Sequence, residues 1–138
     1  MATSVVATDA VCAIDSEASL LEVRAGVRAA AASIGFGLVE QTKVVTAASE
    51  LARNILRYAG RGCMVIERVR AGSRVGLRAR FEDEGPGIDD VELALQDGFS
   101  SGDSLGLGLP GAKRLVDDLQ IDSVPGRGTV VVATMWVP

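Results

Sequence analysis

Histidine is missing from the 138-residue chain altogether. Its absence excludes a Ser-His-Asp triad, a histidine metal ligand and a phosphoacceptor histidine. Aromatic residues make up only 4% of a chain that is 48% apolar, so the core has to be assembled from Val, Leu, Ile and Ala. The two cysteines, Cys12 and Cys63, are too few and too isolated for a disulfide framework or a zinc site, and read as reduced buried thiols. No apolar run approaches the length of a membrane span. The N-terminal stretch MATSVVATDAVCAID has no basic residue before its apolar part and carries Asp9 early, which argues against a secretory signal and for a cytoplasmic protein. A formal net charge of −4 weighs against nucleic acid as the main partner.

What is present suffices for one domain over residues 1–138, since a chain of this length buries around two-thirds of its unfolded surface without disulfides or metal. No repeat, linker or low-complexity tract interrupts it. Val5 to Ile14 has the composition of a strand. Ser16 is a plausible N-cap for a helix running to about Ile34, which Gly35-Phe36-Gly37 ends. A second helix spans about Val39 to Ala59 and stops at Gly60. Cys63 to Arg70 and Arg74 to Glu82 pattern as a hairpin around Ala71-Gly72-Ser73. A short helix, about Val91 to Gln96, sits inside a glycine-rich segment. Leu109 to Leu119 is a third helix, and Ile121 to Val124 with Thr129 to Val137 close the chain as a hairpin. Paired strands mixed with helices, without strict βαβ alternation, indicate an α+β two-layer sandwich: a mostly antiparallel, mixed sheet with helices on one face.

Three local features carry chemistry. In the second helix Val44, Ala47, Ala48, Leu51, Ile55 and Tyr58 form an apolar stripe. At about 100° per residue Asn54 falls roughly 60° and Glu50 roughly 100° from Leu51, so both hang over the border of that stripe. Either they line a site there, or Glu50 merely pairs with Arg53 and Asn54 is a solvated amide. In RVGLRARFEDEGPGI, Val75, Leu77, Ala79 and Phe81 alternate with Arg74, Arg78, Arg80 and Glu82. The same parity carries Asp83 onto the apolar face, where a carboxylate needs a hydrogen-bonding partner. A purine amino group would serve, and Gly85 and Gly87 leave space for a flat ligand. The plainer alternative is an Asx-type turn ending the strand.

The third feature is DGFSSGDSLGLGLPGAKRL. Gly106, Gly108 and Gly111 spell GxGxxG, but a Ser/Gly/Asp loop precedes them and a hairpin follows, so the dinucleotide reading fails. Nor is this a Walker A loop, since Ala112 follows Gly111. A glycine-rich loop entering a helix N-terminus still suits an anion such as a phosphate chain, or simply shapes a turn.

Taken in order, SELARN, EDEGPGI, GLGLPG and GRGTVV resemble the nucleotide-binding motifs of the GHKL ATPase and kinase superfamily. More narrowly, IGFGLVEQTKVVTAASELARNILRYAG, DEGPGI, DGFSS and GLGLPGAKRLVDD look like an RsbT-type switch serine/threonine kinase, and the resemblance covers nearly the whole chain. It implies the Bergerat ATP-binding fold, with ATP and Mg²⁺ as cofactors. On the matching positions it implies that Asn54 coordinates Mg²⁺ and that Glu50 is the catalytic base. It further implies that Asp83, supported by Thr129, binds adenine, that Gly85 and Gly87 give the base room, and that Gly106, Gly108 and Gly111 close over the phosphates. Asp103 and Leu107 stand in the lid where small residues are usual, and Arg127 in GRGT is not diagnostic. The implied function is phosphorylation of a STAS-domain antagonist in a bacterial partner-switching, stressosome-like pathway, with STAS-domain scaffold proteins as further partners. A PP2C-type phosphatase is activated on release. The alternatives are an anti-sigma factor kinase and a nucleotide-gated binding switch without significant phosphotransfer.

Overall fold

Local chemistry sets the first helix boundaries in the computed structural model, which describes residues 2–88 and 108–138. Ser16 is the N-cap of α1 (Glu17–Ser33). The Ser19 hydroxyl accepts the N–H groups of Asp15 and Ser16 at 3.2 and 3.3 Å and donates to Asp15 Oδ1 at 3.0 Å. Backbone donors that a helix start leaves open are thereby satisfied. At the other end Gly35 adopts φ 99°, a left-handed turn that costs glycine nothing, and Phe36 N–H returns to Ala31 O at 3.1 Å. The chain reverses into α2 (Leu38–Tyr58), which ends where the Ala59 and Gly60 N–H groups both meet Ile55 O.

Five strands follow the expected alternation: β1 (Ser4–Ile14), β2 (Gly62–Ala71), β3 (Arg74–Asp83), β4 (Asp118–Val124) and β5 (Gly128–Trp136). Their order in the sheet is β1-β2-β3-β5-β4, and every pairing among them is antiparallel, so the described sheet is not mixed. The third helix, α3 (Gly108–Leu115), is shorter than its amphipathic sequence suggests. Asp117 N–H bonds Thr134 O at 3.0 Å, Asp117 Oδ2 accepts Trp136 N–H at 2.7 Å, and Asp118 already pairs with Thr134. Pairing with β5 thus overrides the helical pattern of Leu-Val-Asp-Asp-Leu. The short helix expected at Val91 to Gln96 lies outside the described residues.

The three helices share one face of the sheet, with α2 between α1 and α3. Leu51, Ile55, Met64, Ile66, Leu77, Ala79 and Phe81 are all buried in one cluster between the layers. On the opposite face Glu67 is 7% exposed and is held by Arg78 at 3.1 Å and Arg80 at 3.3 Å, so its carboxylate is not buried unpaired. Three side chains depart from expectation. Tyr58, the last residue of α2, overruns the packed layer and is exposed beside Arg57 rather than closing the apolar stripe. Cys12 and Cys63 are free and only half-buried. Their cross-strand partners are Met64 and Ala13, an offset of one residue that aims the two thiols at opposite faces. Burial raises both thiol pKa values, with Glu22 adding to the effect at Cys12; at Cys63 Glu82 adds and Arg80 opposes. Among the described residues no helix is long and apolar enough to cross a membrane.

Leu51 stands 2% exposed at the centre of the helix-sheet contact. Replacing it with alanine is expected to cost about 2 to 5 kcal/mol of stability, read as a lower midpoint in urea denaturation with an unchanged m-value.

Candidate functional site

Glu50 and Asn54 belong to the middle helix, and a neighbouring residue orients them. Ser49 Oγ accepts a hydrogen bond from Arg24 Nε at 2.9 Å, which marks the α1 side of α2. At about 100° per residue Asn54 lies about 140° round from Ser49, on the border where α3 runs. Both side chains are half-buried rather than free in solvent. The ion pair anticipated as the plain alternative for Glu50 is present: Arg53 Nη1 meets Glu50 Oε1 at 2.9 Å, with the Glu50 side chain 15% exposed. It ties down one carboxylate oxygen.

Asp83 is delivered by register. It is the last residue of β3, opposite Gly62 on one side and Thr129 on the other. Cross-strand partners share a face, so Asp83 and the buried Thr129 lie side by side on the helix side of the sheet. The Asx-type turn is also real, with Gly85 N–H donating to Asp83 Oδ1 at 2.9 Å. Close backbone approach surrounds this corner. A Cβ on Gly62 would collide with Glu82 O and come within 3.0 Å of Ile55 Cγ2, one on Gly128 would collide with the Asp83 carbonyl, and one on Gly85 would lie 2.6 Å from Ala59 Cβ. The exit of β3 is therefore tucked beneath the C-terminal turns of α2. Asn54 stands in those turns, directly before Ile55.

Gly85 thus has a packing reason to be glycine apart from any ligand. So has Gly87, which sits at φ 78° against the Val124 carbonyl. The loop that carries both is pinned to the β4–β5 turn: Gly126 N–H bonds Pro86 O at 2.7 Å, and Ile88 N–H bonds Ser123 Oγ at 2.7 Å. Ser123 Oγ is in turn 2.9 Å from Thr129 Oγ1. Ser123 escaped the sequence analysis, although a signal existed. In Leu119-Gln-Ile121-Asp-Ser123 it takes the inward parity of two apolar residues, where a hydroxyl needs a partner.

Gly108 opens α3 and Gly111 is buried within it, packed beside α2. Gly106, Asp103, Leu107 and the DGFSS stretch lie outside the described residues. Chemically, the corner offers a carboxylate with one oxygen engaged and an adjacent hydroxyl, and α2 beside it carries a neutral amide, Asn54, and a second carboxylate, Glu50. No group of three or more His, Cys, Asp or Glu able to hold a metal occurs among the described residues. Such a donor set does not form a protein cage for an ion. It is compatible with Mg²⁺ carried by phosphates, which takes most of its oxygens from phosphate and water, so that a single protein oxygen such as the Asn54 amide would complete its shell.

Residues 14–135 match the family described as the histidine kinase-like ATPase domain. The chain is 48% identical over 110 residues to the serine/threonine-protein kinase RsbT of Bacillus subtilis, covering 80% of this chain and 83% of that protein. It is 31% identical over 120 residues to an anti-sigma F factor of Caldanaerobacter subterraneus, covering 83% and 82%. A crystal structure of the RsbU and RsbW domains of a Mycobacterium tuberculosis protein superposes with a TM-score of 0.63 at 20% identity. That match covers 94% of this chain and 33% of the longer one, and it bears on the fold alone.

The Ile88–Ser123–Thr129 link makes a local prediction. Ser123→Ala leaves the Ile88 N–H and the Thr129 hydroxyl short of a partner and is expected to cost about 1 to 3 kcal/mol. Amide hydrogen exchange at Ile88 should accelerate well beyond that at Phe81 in the centre of the sheet.

Proposed function

We infer the function of this chain from one premise: it belongs to the histidine kinase-like ATPase domain family. We propose that it is an ATP-dependent protein serine/threonine kinase of a partner-switching pathway, working in the cytoplasm on a STAS-domain antagonist protein. The observation that supports this most directly is the convergence of two separate elements. The end of β3, where Asp83 pairs with Thr129, packs against Ile55 and Ala59 of α2, the helix that also carries Glu50 and Asn54.

In this reading Asp83 accepts a hydrogen bond from the adenine amino group, and Thr129, steadied by Ser123, supports that contact. Gly85 and Gly87 keep the loop beside the base low, and Gly106, Gly108 and Gly111 shape the approach to the phosphates. Asn54 gives its amide oxygen to Mg²⁺, whose charge offsets that of the phosphate oxygens. A serine or threonine hydroxyl of the antagonist attacks the γ-phosphorus. Its new O–P bond replaces the bond to the β-phosphate oxygen, ADP departs, and Glu50 takes the hydroxyl proton. The Arg53 contact at Glu50 Oε1 leaves the other oxygen for that proton. STAS-domain scaffolds and a PP2C-type phosphatase, activated once the antagonist lets go, complete the proposed partner set.

A second reading, an anti-sigma factor kinase that sequesters a sigma subunit, is favoured by the likeness to anti-sigma F factors. A pure nucleotide-gated switch differs from both in needing no base.

Incubation with Mg²⁺, γ-labelled ATP and a STAS-domain protein encoded beside it should place label on serine or threonine; capture of a sigma subunit instead would favour the second reading. Glu50→Gln is expected to keep ATP affinity and lose about 10² to 10⁴ in phosphotransfer rate, whereas unchanged turnover would remove Glu50 from the chemistry. Asp83→Asn should weaken ATP binding itself in a calorimetric titration, and near-normal affinity would refute the adenine contact.

A further inference from the structure

Asp83, Thr129 and Ser123 form a row across three neighbouring strands, because Asp83 pairs with Thr129 between β3 and β5 and Thr129 pairs with Ser123 between β5 and β4. Ser123 fixes what the middle member of that row can offer a ligand. A hydroxyl has one proton to donate and two lone pairs to accept with. At Ser123 Oγ one lone pair is filled by the Ile88 N–H at 2.7 Å, a contact in which only the amide can donate. The Ser123 proton then has two acceptors in reach, Thr129 Oγ1 at 2.9 Å and the Gly128 carbonyl at 3.2 Å. Since O–H···O bonds fall at about 2.5 to 3.0 Å, the first lies inside the usual range and the second beyond it. If Thr129 donated to Ser123 instead, the Ser123 proton would be left with the longer contact alone. Distance therefore favours Ser123 as the donor and Thr129 as the acceptor.

Thr129 then holds a proton that it has not used. The residue is 8% exposed, and its hydroxyl meets no second hydrogen-bond partner among the described residues. A donor so buried calls for an acceptor brought by a ligand or an ordered water. Beside it, Asp83 Oδ1 is occupied by the Gly85 N–H, and the second carboxylate oxygen accepts no hydrogen bond from a described residue. The row thus presents one acceptor and one donor side by side.

Adenine carries the complement in the same order, an amino group that donates and, next to it, the ring nitrogen N1 that accepts. Guanine reverses both: its carbonyl oxygen is set against the Asp83 carboxylate, and its N1–H leaves the Thr129 proton without an acceptor, which is costly in a buried place. We propose that Ser123 is a positioning residue for base selection. It holds Thr129 as a hydrogen-bond donor to N1, so that Asp83 and Thr129 together accept adenine and refuse guanine. This rests on the proposed contact between Asp83 and the adenine amino group, and it adds the direction of the neighbouring hydroxyl bond and the residue that sets it.

Calorimetric titration of the full chain with ATP and with 1-deaza-ATP, whose ring keeps the amino group and lacks N1, isolates the Thr129 contact. The parent should bind ATP about tenfold more tightly than the deaza analogue, the size of one buried hydrogen bond. Thr129→Val, which keeps the shape and removes the hydroxyl, should bring that ratio close to one. Ser123→Ala, checked for folding by thermal unfolding, should bring it most of the way there and narrow the gap between ATP and GTP, and Ser123→Thr, which restores a hydroxyl, should recover both. Should Ser123→Ala fail to fold, Ser123→Cys, with its weak thiol donor, takes its place with the same expectation. A merely structural serine would weaken both nucleotides alike and leave the ratio intact, and that result overturns the proposal. So does a parent ratio near one, or GTP bound as tightly as ATP. Asp83→Asn separates the two levels of the reading. If it weakens ATP while the parent ratio is near one, the Ser123 assignment falls alone; if the parent binds no ATP, or Asp83→Asn binds it normally, the adenine contact falls and the Ser123 assignment falls with it.

Discussion

The register of β3 is the constraint on which the candidate site depends. Strand parity puts Leu77, Ala79 and Phe81 beneath the helices, and the same parity cannot be suspended for the residue that ends the strand. Asp83 is therefore carried to the helix side by the hydrophobic demand of its neighbours. Pairing with β2 and β5 then sets Gly62 and Thr129 on its flanks. A slip of one residue would turn Asp83 to the Arg78 and Arg80 face and expose Phe81, so folding and site assembly share one energetic determinant.

Glycine and hydroxyl groups finish what register begins. Gly62, Gly85 and Gly128 let three backbones and the end of α2 approach the Asp83 corner more closely than any side chain permits. Ser123 then joins the loop after β3 to Thr129 on β5. The consequence is a polar corner whose parts are held by packing and by satisfied donors, the arrangement that keeps a binding group in place before a ligand arrives. The glycines in EDEGPGI have a structural reason, since a Cβ on Gly85 would meet Ala59 and one on Gly87 the Val124 carbonyl.

The two ends of the sheet differ in chemistry although they belong to the same strands. One end sets Asp83 and Thr129 beneath the C-terminal turns of α2. The other has Arg68 and Arg70 on the helix side of the sheet and Arg74 stacked on Trp136 on the opposite face. A β2–β3 hairpin separates them by the length of ten-residue strands.

Sequence alone determined the features that depend on short-range periodicity. The caps at Ser16 and Gly35, the span of α2, the β2–β3 hairpin and the inward parity of Asp83 were all legible, because each follows from a period of 2 or 3.6 or from one residue's φ preference. The alternation also implied a sandwich with one helical face. Only the tertiary structure decided where α3 stops, since Asp117 and Asp118 choose β5 over another helical turn. It alone made every described strand pair antiparallel, left Tyr58 outside the core, and joined Ser123 to Ile88 and Thr129. These outcomes rest on contacts between residues far apart in the chain, whose free energies no local pattern encodes.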